Sequence, residues 1–368
     1  MKKQKHLLLF SCALGATLAA RADINHTFNA VPFTFSGYVD TYYVDDFADT
    51  PFPDRQITPS GVSPDYSHSR KDRLSVNHAL LDAKFAADRF RGALGVQAGT
   101  YVQKNYAIEN DVAKHLYEAQ LGFKPVADSN VWIDAGIFAS HIGLESAISK
   151  DNLTLTRSLM AENTPYYEAG AKITWDASKQ WSLCLCLLQG WQQIGSQNPN
   201  KAIGTQVQFK PNDALVFNSS TYLGQSPNSP GARLRRYFHD FYVTWQATKE
   251  WSLAFMTDVG ADERSTRDRK LDGWFSATAI AKWQFAPQWA VAGRVEHYRD
   301  PHGLTIPTGT RDNFVATGGS LNLDYQPDPH VLLRVEVRTL GAQHAVFVER
   351  GGLNDTNSYA TASMTLAF

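Results

Sequence analysis

The chain has 368 residues, of which 43% are hydrophobic and 12% aromatic, and its 35 basic side chains face 36 acidic ones. The resulting net charge of −1 argues against a nucleic-acid partner, because such a partner requires a basic surface. Beyond the first 22 residues, no apolar stretch reaches the roughly 20 residues that a membrane-spanning helix needs.

The N-terminus has the pattern of a secretory signal peptide. Lysines at positions 2, 3 and 5 precede an apolar run over residues 7–20, and small residues follow at a predicted cleavage site. The run is too short to be a spanning helix. We therefore predict a cleaved signal peptide over residues 1–22 and a single domain over residues 23–368.

Apolar residues recur at every second position through much of the remaining chain, which is the period of a β-strand. Sixteen candidate strands begin near Phe33, Leu74, Phe90, His115, Val131, Tyr166, Trp181, Lys201, Ala214, Arg236, Trp251, Gly273, Trp289, Asn313, Val331 and Ser358. Their connections alternate between short turns, such as 177–180 and 211–213, and long loops, such as 45–73 and 140–165. The pattern predicts an all-β fold: a transmembrane antiparallel β-barrel with about 16 strands, short periplasmic turns and long extracellular loops.

Three segments repeat one motif, in which two tryptophans flank a short polar turn. The pairs are Trp175 and Trp181, Trp245 and Trp251, and Trp283 and Trp289. Tryptophan has an apolar body and a polar edge, so it settles at the boundary between lipid and water. We predict that these six residues form a membrane-interface girdle beside the short turns.

The alternation also assigns each side chain a direction. It predicts that Tyr117 on the fourth strand and Tyr167 on the sixth face lipid. The predicted inward charges are Lys172, Arg294, Glu296, Arg334, Glu336 and Arg338. A lumen lined by such charges is wet, because ions are not buried unpaired, and sixteen strands leave room for an aqueous channel.

Several motifs resemble the beta-barrel porin-2, or OmpL-like, family. Its central motif is similar to Gly143-Leu144-Glu145, Asp151-Asn152, Thr156-Arg157-Ser158, Pro165-Tyr166-Tyr167 and Gly170, and its first strand to Gly37-Tyr38-Val39-Asp40-Thr41-Tyr42-Tyr43. The segment Gln189-Gly190-Trp191 departs by one residue from the Asn-Gly-Trp that the family often has after its seventh strand. The resemblance implies an outer-membrane porin of unassigned solute, and it supplies no catalytic residues.

Residues 140–165 form the third long loop by strand count. In porins of similar size this loop folds into the barrel and narrows it. We expect its Glu145, Lys150, Asp151 and Arg157 to face Arg294, Arg334 and Arg338 across a constriction, where opposed charges set ion preference. The alternative is that these groups pair with neighbours in the lumen and only hold the loop in place.

Cys184 and Cys186 lie on one face of a predicted strand. A disulfide between such neighbours is strained, and a metal site needs further ligands, so we interpret them as small free residues. No cofactor or metal is predicted. At the C-terminus, alternation leads into Phe368, which resembles the signal read by the outer-membrane assembly machinery of Gram-negative bacteria.

The sequence therefore favours a non-enzymatic outer-membrane porin of a Gram-negative bacterium, through which small hydrophilic solutes or ions diffuse. Its expected partners are outer-membrane lipid and lipopolysaccharide, the assembly machinery through Phe368, and further copies of the chain in a homotrimer. The first alternative is a non-conducting barrel that acts as an adhesin or structural protein. The second is an outer-membrane hydrolase.

Overall fold

The structure, a computed structural model, describes residues 33–50, 52–55, 57–60, 65–195, 201–228, 233–267, 270–311 and 313–368. The strands are β1 Phe33–Asp46, β2 Ser75–Ala86, β3 Phe90–Ala98, β4 Leu116–Phe123, β5 Val131–Ala139, β6 Tyr167–Asp176, β7 Trp181–Leu188, β8 Ala202–Asn212, β9 Leu215–Gln225, β10 Arg235–Gln246, β11 Trp251–Glu263, β12 Leu271–Ala286, β13 Trp289–Asp300, β14 Phe314–Asp328, β15 Val331–Ala342, β16 Phe347–Glu349, β17 Gly352–Asn354 and β18 Thr356–Ala367. Sixteen of them form a closed antiparallel barrel, in which β1 pairs with both β2 and β18. The predicted all-β barrel is confirmed.

The helical segments are short and lie in the loops. They are α1 Thr100–Asn105 and α2 Leu159–Glu162, with 3-10 turns at Ala113–His115 and Ser149–Asp151. The Ser158 side chain begins α2 by accepting a hydrogen bond from the Ala161 amide, as an N-cap serine does. Within the described ranges, no helix has the length and apolarity that a membrane crossing requires.

The predicted strand starts agree with the structure to within two residues, whereas some predicted ends are wrong. Pro211, expected in the turn 211–213, lies in β8 beside a register shift, where proline is tolerated. The hairpin of β16 and β17 was not predicted, and it occupies the last long loop. The predicted signal peptide lies outside the described residues.

One predicted direction is wrong because of a β-bulge. Tyr117 was expected to face lipid, but the register between β3 and β4 shifts between Gly95 and Val96. A one-residue slip moves a side chain to the other face of a sheet. The Tyr117 ring instead lies 5.9 Å from the ring of His78, whose Nε2 contacts the side chain of Gln97.

The strands on one side of the barrel are shorter than those on the other side. Strands β3 to β7 contain 8–10 residues, whereas β8 to β14 contain 11–16. The loop after β3 covers the ends of the shorter strands, and its Tyr106 stacks on Tyr167 with ring centroids 3.9 Å apart. Tyr167, which was expected to contact lipid, is therefore buried. Gly136 on β5 allows close strand packing here, because its φ is 134° and an added Cβ would lie 2.1 Å from the Ala119 carbonyl oxygen.

Candidate constriction in the barrel lumen

The loop of residues 140–165, called here the inner loop, folds into the lumen. Near its start, the Gly143 amide donates to Asp240 Oδ1 on β10 at 3.2 Å. In its middle, the hydroxyl groups of Ser149 and Tyr38 on β1 lie 2.7 Å apart. Contacts to β1 and to β10 require that the loop cross the interior.

Three arginines on β13 and β15 bind the backbone of the inner loop. Arg334 donates to the carbonyl oxygens of Ser149, Asn152, Leu153 and Thr154 at 2.8–3.1 Å. Arg294 donates to the Thr156 carbonyl oxygen at 2.5 Å, and Arg338 donates to that of Arg157 at 3.0 Å. All three guanidinium groups are buried, so each of them fixes the loop to the wall.

Carboxylates complete this anchor. Glu336 pairs with Arg294 at 2.9 Å and accepts the Thr156 amide at 2.6 Å. Glu296 pairs with Arg338 at 2.7 Å and accepts the Leu159 amide at 2.7 Å. Two more carboxylates extend the network: Asp324 pairs with Arg334 and Lys282, and Asp65 pairs with Arg338. Four cations thus meet four carboxylates, and buried charges are tolerated only when they are paired in this way.

Glu145 and Arg157, which were predicted to face the arginines across a constriction, make their direct hydrogen bonds within the inner loop. Glu145 accepts hydrogen bonds from the amide and hydroxyl of Ser158 in its own loop, and burial raises its pKa. Arg157 donates to the carbonyl oxygens of Ser146 and Ala147, and its guanidinium lies 5.3 Å from the centre of the Tyr101 ring. These two residues therefore stabilise the loop internally.

A different set of charges faces open space toward the short turns. We call the region around them, Lys84, Lys150, Asp151 and Lys172, the turn-end vestibule. Lys150 and Asp151 pair at 2.6 Å with 37% and 46% of their side chains exposed. Lys172 and Lys84 line a cavity of about 360 Å³ with Arg91, Glu118, Asp134 and other residues. Of the predicted constriction residues, Asp151 and Lys172 therefore border the open part of the lumen.

A second loop, residues 47–74, also folds inward, which the sequence analysis did not predict. Arg55 pairs with Asp65 at 3.0 Å and lies 3.4 Å from the centre of the Tyr359 ring on β18. The amide of Tyr66 donates to Glu162 in α2 at 3.0 Å, so this loop rests on the inner loop. Burial raises the pKa of Asp65, but the charges of Arg338 and Arg55 outweigh this effect and hold the pKa below its usual value. Tyr359 and Glu162 lie far from this loop in the chain, and no local pattern indicates these contacts.

The outer surface carries the remaining predicted residues. All six tryptophans of the three motifs face outward with 37–48% exposure. Trp251 and Trp283 stack across neighbouring strands at 5.7 Å. At the C-terminus, Phe368 exchanges backbone hydrogen bonds of 2.8 and 3.0 Å with Gly37. An added Cβ at Gly37 would lie 2.2 Å from the Phe368 ring, so the ring covers this glycine.

Comparison with known families gives one match over nearly the whole described chain. The model of the family described as "Putative beta-barrel porin-2, OmpL-like" matches residues 32–368. No curated protein sequence matches the chain significantly.

Solved structures share the fold at very low sequence identity. An anion-selective porin from Comamonas acidovorans has a TM-score of 0.61 and 9% identity, covering 92% of this chain and 100% of its own. The outer-membrane channel DcaP of Acinetobacter baumannii has a TM-score of 0.59 and 10% identity, covering 92% and 97%. A trimer form of OmpT, an outer-membrane protein of Vibrio cholerae, has a TM-score of 0.57 and 9% identity, covering 92% and 100%. At such identity these likenesses show the fold alone.

Proposed function

The chain belongs to the beta-barrel porin-2, OmpL-like, family, and from that membership we propose that it lets small hydrophilic solutes or ions diffuse passively across the outer membrane of a Gram-negative bacterium. The observation that carries the proposal is a closed sixteen-strand barrel with a loop anchored inside its lumen. Such a loop narrows a wide barrel, so the width left beside it limits solute size. We propose no chemical reaction and no cofactor.

We propose that ion preference arises in the turn-end vestibule rather than at the arginine anchor. The anchor is neutralised by its own carboxylates, so it contributes little net field. Lys172 and Asp151 instead border cavities of about 360 and 310 Å³. Charges that border a water-filled path interact directly with passing ions.

Single-channel recording tests the proposal. Residues 23–368, refolded and shown to be folded by heat-dependent migration in electrophoresis, are inserted into a planar bilayer under a salt gradient. We expect stepwise current increases, and the sign of the reversal potential then gives the ion preference. A folded barrel that inserts without current steps would refute the porin function.

A second candidate is a barrel that does not conduct and acts as an adhesin or structural protein. The observation that favours it is the packing of long loops on one another: the Ser60 amide donates to the Thr308 carbonyl oxygen at 3.2 Å, and the Val348 amide to that of Ile57 at 3.1 Å. The same recording separates the two candidates, because only a porin carries current.

The proposed partners follow from the outer surface and the ends of the chain. We propose that the outward tryptophans mark the periplasmic membrane boundary, with lipid and lipopolysaccharide around the barrel. We further propose that residues 1–22 are cleaved, that the assembly machinery reads the strand ending in Phe368, and that the barrel forms homotrimers. Cross-linking of the membrane-embedded protein tests the last point, with a monomer band alone as the contrary result.

A further inference from the structure

Four potential metal ligands meet where the inner loop leaves the barrel wall. His141 lies in that loop just after β5, Glu168 lies on β6, and Cys184 and Cys186 lie on β7. The donor atoms of His141, Glu168 and Cys186 lie within 4.8 Å of one another. The two sulfur atoms are 3.6 Å apart. Two thiolates, an imidazole and a carboxylate form a donor set that suits zinc.

The contacts of His141 require a proton or a cation between its Nδ1 and Glu168. Its Nε2 lies 2.9 Å from the Thr221 carbonyl oxygen, and since a carbonyl oxygen only accepts, Nε2 carries a hydrogen. Its Nδ1 then faces Glu168 Oε2 at 2.8 Å. Two acceptors do not lie this close without a proton or a cation between them. Histidines that bind a metal through one nitrogen commonly donate the other N–H to a carbonyl group in the same way.

Neighbouring residues fix the positions of the four side chains. The His141 carbonyl oxygen accepts hydrogen bonds from Gln206 Nε2 at 2.8 Å and Ser220 Oγ at 2.7 Å. Gly204 leaves room for the imidazole, because an added Cβ there would lie 2.4 Å from the ring. Glu168 is fully buried, and its Oε1 has no hydrogen-bond partner among the described residues. Glu168, whose ligand oxygen lies within 4.8 Å of the donor atoms of His141 and Cys186, thus has a buried carboxylate oxygen that a cation can use.

The distances fit one tetrahedral ion. Two thiolates at ~2.3 Å from a tetrahedral zinc lie about 3.8 Å from each other, close to the 3.6 Å between the two sulfurs. The gap between Nδ1 and Oε2 must widen from 2.8 Å to about 3.4 Å when both bind the ion at ~2.0–2.1 Å.

We propose that Cys184, Cys186, His141 and Glu168 bind a zinc ion on the lumen wall. The ion ties the start of the inner loop to β6 and β7. The proposal is independent of whether the barrel conducts, because it concerns only the wall and the loop.

Cobalt(II) is the probe for the first test, since it reports thiolate and tetrahedral coordination through its absorption. The full mature barrel is purified in detergent, reduced with a phosphine and titrated. We expect thiolate-to-cobalt absorption that saturates at one equivalent and disappears when zinc is added. A folded wild-type barrel without thiolate-to-cobalt absorption would overturn the proposal, whatever any variant does.

Variants then locate the site by zinc competition. We expect the double variant C184A/C186A to bind zinc more than 100-fold more weakly. Gln206→Ala, which removes a hydrogen bond to the His141 carbonyl oxygen, should weaken binding by about 10–100-fold, as changes behind the ligands do. His297→Gln, a substitution of a partly exposed histidine on β13, is the control and should have no effect. Unchanged zinc affinity in the folded double-cysteine variant would place the metal elsewhere and overturn the proposal.

Discussion

Arg334 is the residue on which the anchoring of the inner loop most depends. Its guanidinium donates to four loop carbonyl oxygens and to both oxygens of Asp324. Arg334→Met removes these donors and retains an unbranched side chain that fills part of the space. The change leaves loop carbonyl groups and one carboxylate without their main partner.

The free-energy cost of Arg334→Met depends on the partners that Asp324 retains. Breaking a buried ion pair costs about 3–5 kcal/mol. The lower value applies here, because Asp324 keeps Lys282 Nζ and Asn322 Nδ2, each at 2.6 Å. A loss of about 3 kcal/mol in the free energy that holds the loop in place raises the detached population roughly 100-fold.

Hydrogen exchange measures this population directly. The amides of Leu155 and Thr156 donate to Asn322 and Glu336 on the wall, so their exchange should accelerate roughly 100-fold in the variant. Arg350→Met is the matched control, because Arg350 pairs with Asp49 where both side chains are at least 72% exposed. Such pairs contribute about 0–1 kcal/mol. Equal exchange of these two amides in both variants and the wild type would refute the anchoring role.

Three further predictions concern the wall and the vestibule. Gly136→Ala should lower the unfolding free energy in lipid vesicles by about 1–3 kcal/mol or more through backbone strain. Gly293→Ala is the control and should change it far less, because an added Cβ there has nothing within 4 Å. Equal effects of the two substitutions would contradict the close packing at Gly136. Trp251→Ala should lose about 0.5–1.5 kcal/mol from its stack on Trp283, and Trp251→Phe should recover most of it in the same unfolding assay. In planar bilayers, the reversal potential should show greater cation selectivity for Lys172→Gln and greater anion selectivity for Asp151→Asn. An unchanged reversal potential in both variants would show that the vestibule does not select ions.

The barrel could be predicted from the sequence because its signals are local. The tryptophan pairs lie six positions apart, and the outward and inward residues of β15 alternate along a single strand. Register is the exception, as Tyr117 shows: one extra residue opposite Gly95 reverses its direction, and the sequence contains no local sign of that bulge.

The positions of the loops inside the lumen depend on contacts between segments that are distant in the chain. That Arg334 lies inside the barrel follows from alternation, but its hydrogen bonds to the inner loop join residues 180–185 positions apart. His141 joins Glu168 across 27 positions, so the two cysteines alone gave no indication of a metal site. The sequence by itself determined the barrel, its strand number and the direction of most wall residues, since these repeat with the period of a strand. Only the closed tertiary structure decided which charges the loops neutralise and which still face water, because that requires opposite walls to come within hydrogen-bonding distance.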